Sequence, residues 1–231
     1  MTENQTVQQK SVRRNRFAAA ACFAAAVITA TFVGTQSASA DGAAGGATAG
    51  ARPAAVAVAA PGLGSADLVQ SEDYVRRGLN PVGATVTLNG RQGLSACSGE
   101  ETMRDLTKGK ATAYASVTWT FDTSGLLTES AASAPTKAAA ATWEKQLVAL
   151  VQDCRHEPAG HWYYGAAHTL TTTGGTARWY PAHNGDGTVS GGVAVLRSGT
   201  KVAVVELSGR PAYAPNSFAG LAGAALNRLS S

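Results

Sequence analysis

The strongest periodicity in the chain is helical. Trp143, Leu147, Leu150, Val151 and Cys154 recur at spacings of three and four, which places them on one face of a helix. Ser133 stands where an N-cap is expected, Pro135 falls just inside it, and Pro158 lies beyond the far end, so the pattern predicts a helix bounded by these residues. A second helical stripe, Phe218, Leu221, Ala225, Leu226 and Leu229, begins after Asn216. Period-two alternation dominates elsewhere. Tyr114, Val117, Trp119 and Phe121 alternate with smaller or polar residues over most of a predicted strand at 111–121, followed by a turn at Asp122-Thr123-Ser124-Gly125 and a returning strand at 126–129. Val82, Ala84, Val86 and Leu88 alternate before the turn pair Asn89-Gly90. Residues 161–173 and 176–180 read as strands separated by Gly174-Gly175, and 193–196 with 202–207 as a hairpin around Arg197-Ser198-Gly199-Thr200-Lys201. Two further segments are expected: a short helix or turn within 66–78, and a helix over 94–106 with Ser98 and Glu101 in capping-box spacing. Together these elements predict an α+β domain, a mainly antiparallel sheet with helices packed on one face.

The first 40 residues do not belong to that domain. A polar head carrying Lys10, Arg13, Arg14 and Arg16 precedes an apolar run from Phe17 to Val33, and Ala38-Ser39-Ala40 supplies small residues before Asp41. Basic head, apolar middle and small-residue exit form the secretory pattern, with cleavage expected between Ala40 and Asp41. A retained membrane anchor is the alternative for an apolar run of this length. Cys22 sits near the start of the run, whereas a lipid-attachment cysteine follows its end. Residues 41–61 are nearly all Ala, Gly and Pro and read as a flexible tether, leaving 62–231 as one domain.

Removing the leader changes the charge and the cysteine count. The whole chain carries 19 basic and 15 acidic residues, net +4. The leader holds four of the basic residues and one acid, so the remainder is close to neutral and has no electrostatic footprint for nucleic acid. Beyond the leader no apolar stretch is long enough to span a bilayer. Of three cysteines, Cys97 and Cys154 remain, and in an oxidising compartment a lone pair is expected to bridge, with two free buried thiols or a reactive nucleophile as the alternatives.

Candidate chemistry is sparse. His156-Glu157-Pro158-Ala159-Gly160-His161 is one residue longer than a zinc-protease motif, and Pro158 and Gly160 oppose the helix that such a motif needs. Asn184-Gly185-Asp186-Gly187-Thr188 resembles part of a calcium loop, but Ala182 and Val193 occupy the first and last ligand positions. No Gly-x-Ser-x-Gly elbow and no phosphate loop occur, and no metal, cofactor or catalytic residue is assigned. The adjacent acids Glu100 and Glu101 read as solvated surface. The aromatic groups Trp162-Tyr163-Tyr164 and Trp179-Tyr180 are the most informative polar-apolar features. Neighbours on a strand face opposite sides, so either a second covered face buries them or some line a binding surface. Trp162, Tyr164 and Trp179 are the candidate ligand-binding residues.

An early cysteine segment, the helix from Ala138 to Cys154 with Trp143, the hairpin GGVAVLRSGTKVAVVEL and the closing helix FAGLAGAALNRL follow one another in order. This order resembles the extracellular sensor domain of actinobacterial serine/threonine kinases of the PknH type, which also occurs as stand-alone secreted proteins and lipoproteins. The Ala/Gly-rich leader agrees with an actinobacterial source. The resemblance implies a central antiparallel sheet and a cleft for a small molecule or cell-wall fragment. Kinase-linked members carry two disulfides, whereas Cys97 and Cys154 provide one here, and the chain contains no kinase domain. The resulting expectation is a secreted, non-catalytic, ligand-binding or sensor-like domain at the cell envelope. A small hydrolase whose site assembles only in three dimensions and an envelope protein-interaction module are the alternatives.

Overall fold

The computed structural model describes residues 62–75, 78–209 and 215–231. The leader, the Ala40/Asp41 junction and the tether at 41–61 lie outside the described residues. The chain divides into the units Met1–Ala55 and Val56–Ser231, and everything described belongs to the second.

Eight strands form one sheet: β1 (Pro81–Thr87), β2 (Ala113–Phe121), β3 (Leu126–Ser133), β4 (Tyr163–Tyr164), β5 (His168–Thr172), β6 (Gly175–His183), β7 (Val189–Ser198) and β8 (Lys201–Ser208). Their spatial order is β1-β2-β3-β8-β7-β6-β4, with β5 also pairing β6, and each pairing is antiparallel. The predicted hairpin is the centre of the sheet. β7 and β8 pair up to Ser198↔Lys201 and turn through Gly199, whose φ of 57° suits a two-residue connection. Four helices, α1 (Ser71–Val75), α2 (Met103–Leu106), α3 (Lys137–Asp153) and α4 (Pro215–Leu229), complete the described domain. None of them is long and apolar enough to cross a membrane.

The helices cover both faces of the sheet rather than the one face that the sequence suggests. Val193, Val195, Val202 and Val204 pack with Ala140, Trp143, Leu147 and Val151 of α3. Their alternating neighbours Ala194, Leu196, Ala203 and Val205 pack with Phe218, Leu221, Ala225 and Leu226 of α4. A strand buried on both sides has no polar face, so β7 and β8 read as nearly unbroken apolar runs. β1 lies at one end of the strand order and is largely exposed, with Val82 67% and Val86 47% accessible.

Two helix boundaries differ from the sequence reading for identifiable reasons. Ser133 does not cap α3. It completes β3 opposite Ala113, and Thr136 is the cap, its Oγ1 accepting the Ala139 N–H at 3.1 Å. Segment 94–106 is helical only over α2. Ser98 bonds back to Ser95 through both its hydroxyl and the backbone, and Gly99 adopts φ +64°, so no helix propagates through Cys97. The capping box is supplied instead by Thr102 and Asp105.

Cys97 and Cys154 are bridged, with their Cα atoms 5.8 Å apart. The bond ties the irregular segment before α2 to the C-cap of α3 and closes 57 residues of chain. In the chain-entropy model a loop of this length contributes about 4 kcal/mol.

Candidate functional site

Trp162, Tyr164 and Trp179 do not share a surface. Tyr164 is buried among the α3-side residues and meets the half-buried Trp162 edge-to-face at 4.6 Å between ring centroids. Trp179 lies on the opposite face, packed against Phe218 and stacked under the exposed ring of His168 at 4.2 Å. The second covered face is the reason: at Trp179-Tyr180 each ring points into a different core. Of the three, Trp162 alone is more than marginally accessible.

Two buried acids explain other parts of the architecture. Glu206 on β8 accepts a 2.5 Å hydrogen bond from Tyr164 and a 2.8 Å bond from the Ala96 N–H, so one carboxylate holds both β4 and the segment leading to Cys97. Burial pushes its pKa up, against the pull of those two donors. Glu129 on β3 is fully buried on the other face, where Oε2 accepts the Val69 N–H at 2.6 Å and Oε1 has no partner among the described residues. Burial foremost, with Asp73 and Asp67 nearby, pushes its pKa up to about 8.

The motifs containing histidine and aspartate form no reactive cluster. Asn184 to Thr188 is a closed turn, with the Asn184 N–H bonded to the Thr188 carbonyl and both Thr188 donors directed to Asp186. His183 Nδ1 lies 3.1 Å from the Gly187 carbonyl and its ring stacks on Tyr163. Among the described residues no histidine is hydrogen-bonded to a serine or an aspartate, and no three His, Cys, Asp or Glu residues converge as a metal site.

Charge concentrates instead beside α2. An open cavity of about 700 Å³ is walled by Arg91, Arg104 and Lys108, with Asp105, Thr102 and Gly109 completing it. Its geometry begins at the turn after β1. Gly90 has φ +71°, and a Cβ there would lie 2.5 Å from the Tyr114 ring, so only glycine lets the chain pass. The Gly90 carbonyl accepts the Arg104 N–H at 2.9 Å, which holds Arg91 next to the first turn of α2. The Arg104 guanidinium lies 5.8 Å from the centre of the Tyr114 ring, a cation–π contact. At the other end Lys108 and Gly109 adopt positive φ and the Gly109 N–H returns to the Arg104 carbonyl, so the helix stops and its side chains form a wall.

The sole carboxylate of this wall is already engaged. Asp105 accepts from Thr102 Oγ1 at 2.6 Å and from the Thr102 N–H at 3.2 Å, and these bonds, with Arg91 and Arg104 close by, hold its pKa below the usual range. The ion pairs among the described residues involve Arg197, Lys201 and Arg228; none takes up Arg91, Arg104 or Lys108. Sequence reasoning missed this cavity because the near-neutral total hides it. The available signal was local: Arg91, Arg104, Lys108 and Lys110 fall within 20 residues.

Neither models of protein families nor curated protein sequences match this chain. Among solved structures it is similar to the extracellular domain of PknH from Mycobacterium tuberculosis, at 16% identity and a TM-score of 0.45, over 71% of this chain and 93% of that one. The likeness is distant. The class that the fold itself defines is a disulfide-linked α+β domain built on an antiparallel sheet.

Proposed function

We propose that this chain is a non-catalytic ligand-binding domain working outside the reducing cytoplasm, at the cell envelope, and that its ligand carries an anionic group bound beside α2. The observation that carries the reading is the cavity walled by Arg91, Arg104 and Lys108, whose charges have no ion-pair partner among the described residues. Guanidinium groups present planar donor pairs that match carboxylate and phosphate oxygens. The Cys97–Cys154 bridge supports the compartment, because such bonds persist where the environment is oxidising. A sensor-like role, the one implied by the sequence resemblance to PknH-type extracellular domains, is the finer form of the same proposal.

Thermal-shift and calorimetric titration with carboxylate- or phosphate-bearing wall fragments, set against neutral sugars, tests the site. Anionic fragments are expected to bind, and Arg104→Gln to weaken them without unfolding the domain. Equal response to neutral and anionic fragments overturns the reading. For the compartment, mass spectrometry of the exported protein is expected to show a start at Asp41 and a mass two hydrogens below the reduced value. An intact Met1 terminus in the exported fraction contradicts cleavage.

A further inference from the structure

We infer that the ligand of the cavity beside α2 is a short peptide with a free carboxylate at one end and a free amine at the other. The inference rests on the preceding reading of that cavity as an anion site and adds the rest of the ligand. A second cavity, of about 330 Å³, shares Asp105 and Lys108 with the first and runs along the C-terminal half of α3. Its character is different. Glu101 and Asp153 take the place of the arginines, Leu106, Ala149 and Leu150 supply apolar wall, and Gln146 contributes a carboxamide.

These two surfaces select by charge. A simple anion is satisfied among Arg91, Arg104 and Lys108, and gains nothing from a neighbouring wall that carries Glu101 and Asp153. A ligand long enough to enter both cavities meets cations at one end and carboxylates at the other. Neither Glu101 nor Asp153 is engaged in an ion pair among the described residues, so both are available to a cation. The second cavity also offers Leu106, Ala149 and Leu150 to small apolar side chains. Gln146 has both donor and acceptor capacity, as a peptide bond requires of its partner. An amine and a carboxylate separated by peptide bonds and small apolar side chains satisfy all of these at once.

The test is calorimetric titration of the full chain with tetra-alanine in four forms: both ends free, N-acetylated, C-amidated and doubly blocked. The free form is expected to bind most tightly, and blocking either end to weaken it about tenfold, the loss of one charge-assisted contact. Asp153→Asn, at an exposed position, is expected to lower the affinity of the free peptide to that of the N-acetylated form and to leave the N-acetylated form unchanged. Arg104→Gln is expected to act in the same way on the carboxylate end. If the N-acetylated peptide binds as tightly as the free one and Arg104→Gln weakens both, the amine subsite is wrong while the anion site stands. If no form binds, the peptide inference is overturned, and titration with inorganic phosphate then decides the anion site separately. Binding that is indifferent to Arg104→Gln overturns both.

Discussion

Tyr164 donates a 2.5 Å hydrogen bond to Glu206 in the interior of the protein, linking a two-residue edge strand to the central hairpin. The second oxygen of Glu206 accepts the Ala96 N–H, so the same carboxylate also anchors the segment that carries Cys97. The disulfide and this buried acid therefore fix one segment from two directions.

Removing the tyrosine hydroxyl tests that coupling. Tyr164→Phe keeps the ring in place but leaves a buried carboxyl oxygen without its donor. A loss of about 1–3 kcal/mol in urea unfolding is expected, the penalty for an unsatisfied buried polar group. Glu206→Ala is expected to lose more, because the Ala96 N–H is orphaned together with the hydroxyl.

Glu129 should make stability fall as pH rises. Its folded pKa is about 8, against an ordinary value of 4.5. Below the ordinary value the carboxyl is protonated in both states and has no effect. Between the two values the unfolded chain loses the proton while the folded one keeps it, so the slope is negative, at most about 1.4 kcal/mol per pH unit. Above the folded value both states are ionised and the penalty stays constant. Glu129→Gln, neutral at every pH, is expected to match the native protein near pH 4 and to exceed it in denaturant midpoint at pH 8. A pH-independent difference between the two proteins contradicts the assignment.

Reduction of the Cys97–Cys154 bridge, or the double replacement Cys97→Ala with Cys154→Ala, is expected to lower stability by about 4 kcal/mol, because a long loop is released in the unfolded chain. Guanidinium unfolding with and without reductant measures it. A change below about 1 kcal/mol would show that the loop-entropy account does not hold for this domain.

The two tryptophans named from sequence as candidate ligand-binding residues should behave differently. Trp179→Ala empties a site that is 6% exposed beneath α4, and a loss of about 3–5 kcal/mol is expected. Trp162→Ala removes a half-buried ring at the edge of the other core, and its loss should be clearly smaller. Equal losses in chemical denaturation contradict this placement.

The extent to which the sequence specified the fold can be seen in particular elements. The hairpin was legible because its apolar runs flank a glycine turn, and α3 because Trp143, Leu147 and Val151 repeat at its pitch. The stretch around Cys97 was misread as helix because capping-box spacing is a local signal, and there the local hydrogen bonds of Ser98 and the positive φ of Gly99 oppose it. Coverage of both sheet faces was present in the unbroken runs VAVL and VAVVEL, but such runs do not say what covers the strands. Glu206 lies within the second of these runs and Glu129 within LLTESAAS of β3, and neither position is marked as a buried acid by its spacing.

What the sequence by itself determined was composition and local pattern: an α+β antiparallel domain, its central hairpin, its two long helices and a cysteine pair free to bridge. Those features depend on residues close together in the chain, where periodicity and turn chemistry act directly. What only the tertiary structure decided was which side chains meet. It sent Tyr164 and Trp179 into opposite cores, and it brought Arg91, after one turn, beside Arg104 on α2 and Lys108 just beyond its end. Such meetings depend on strand register, on which face each helix covers and on a single glycine passing beneath the Tyr114 ring. None of these is encoded in the spacing of the residues that come together.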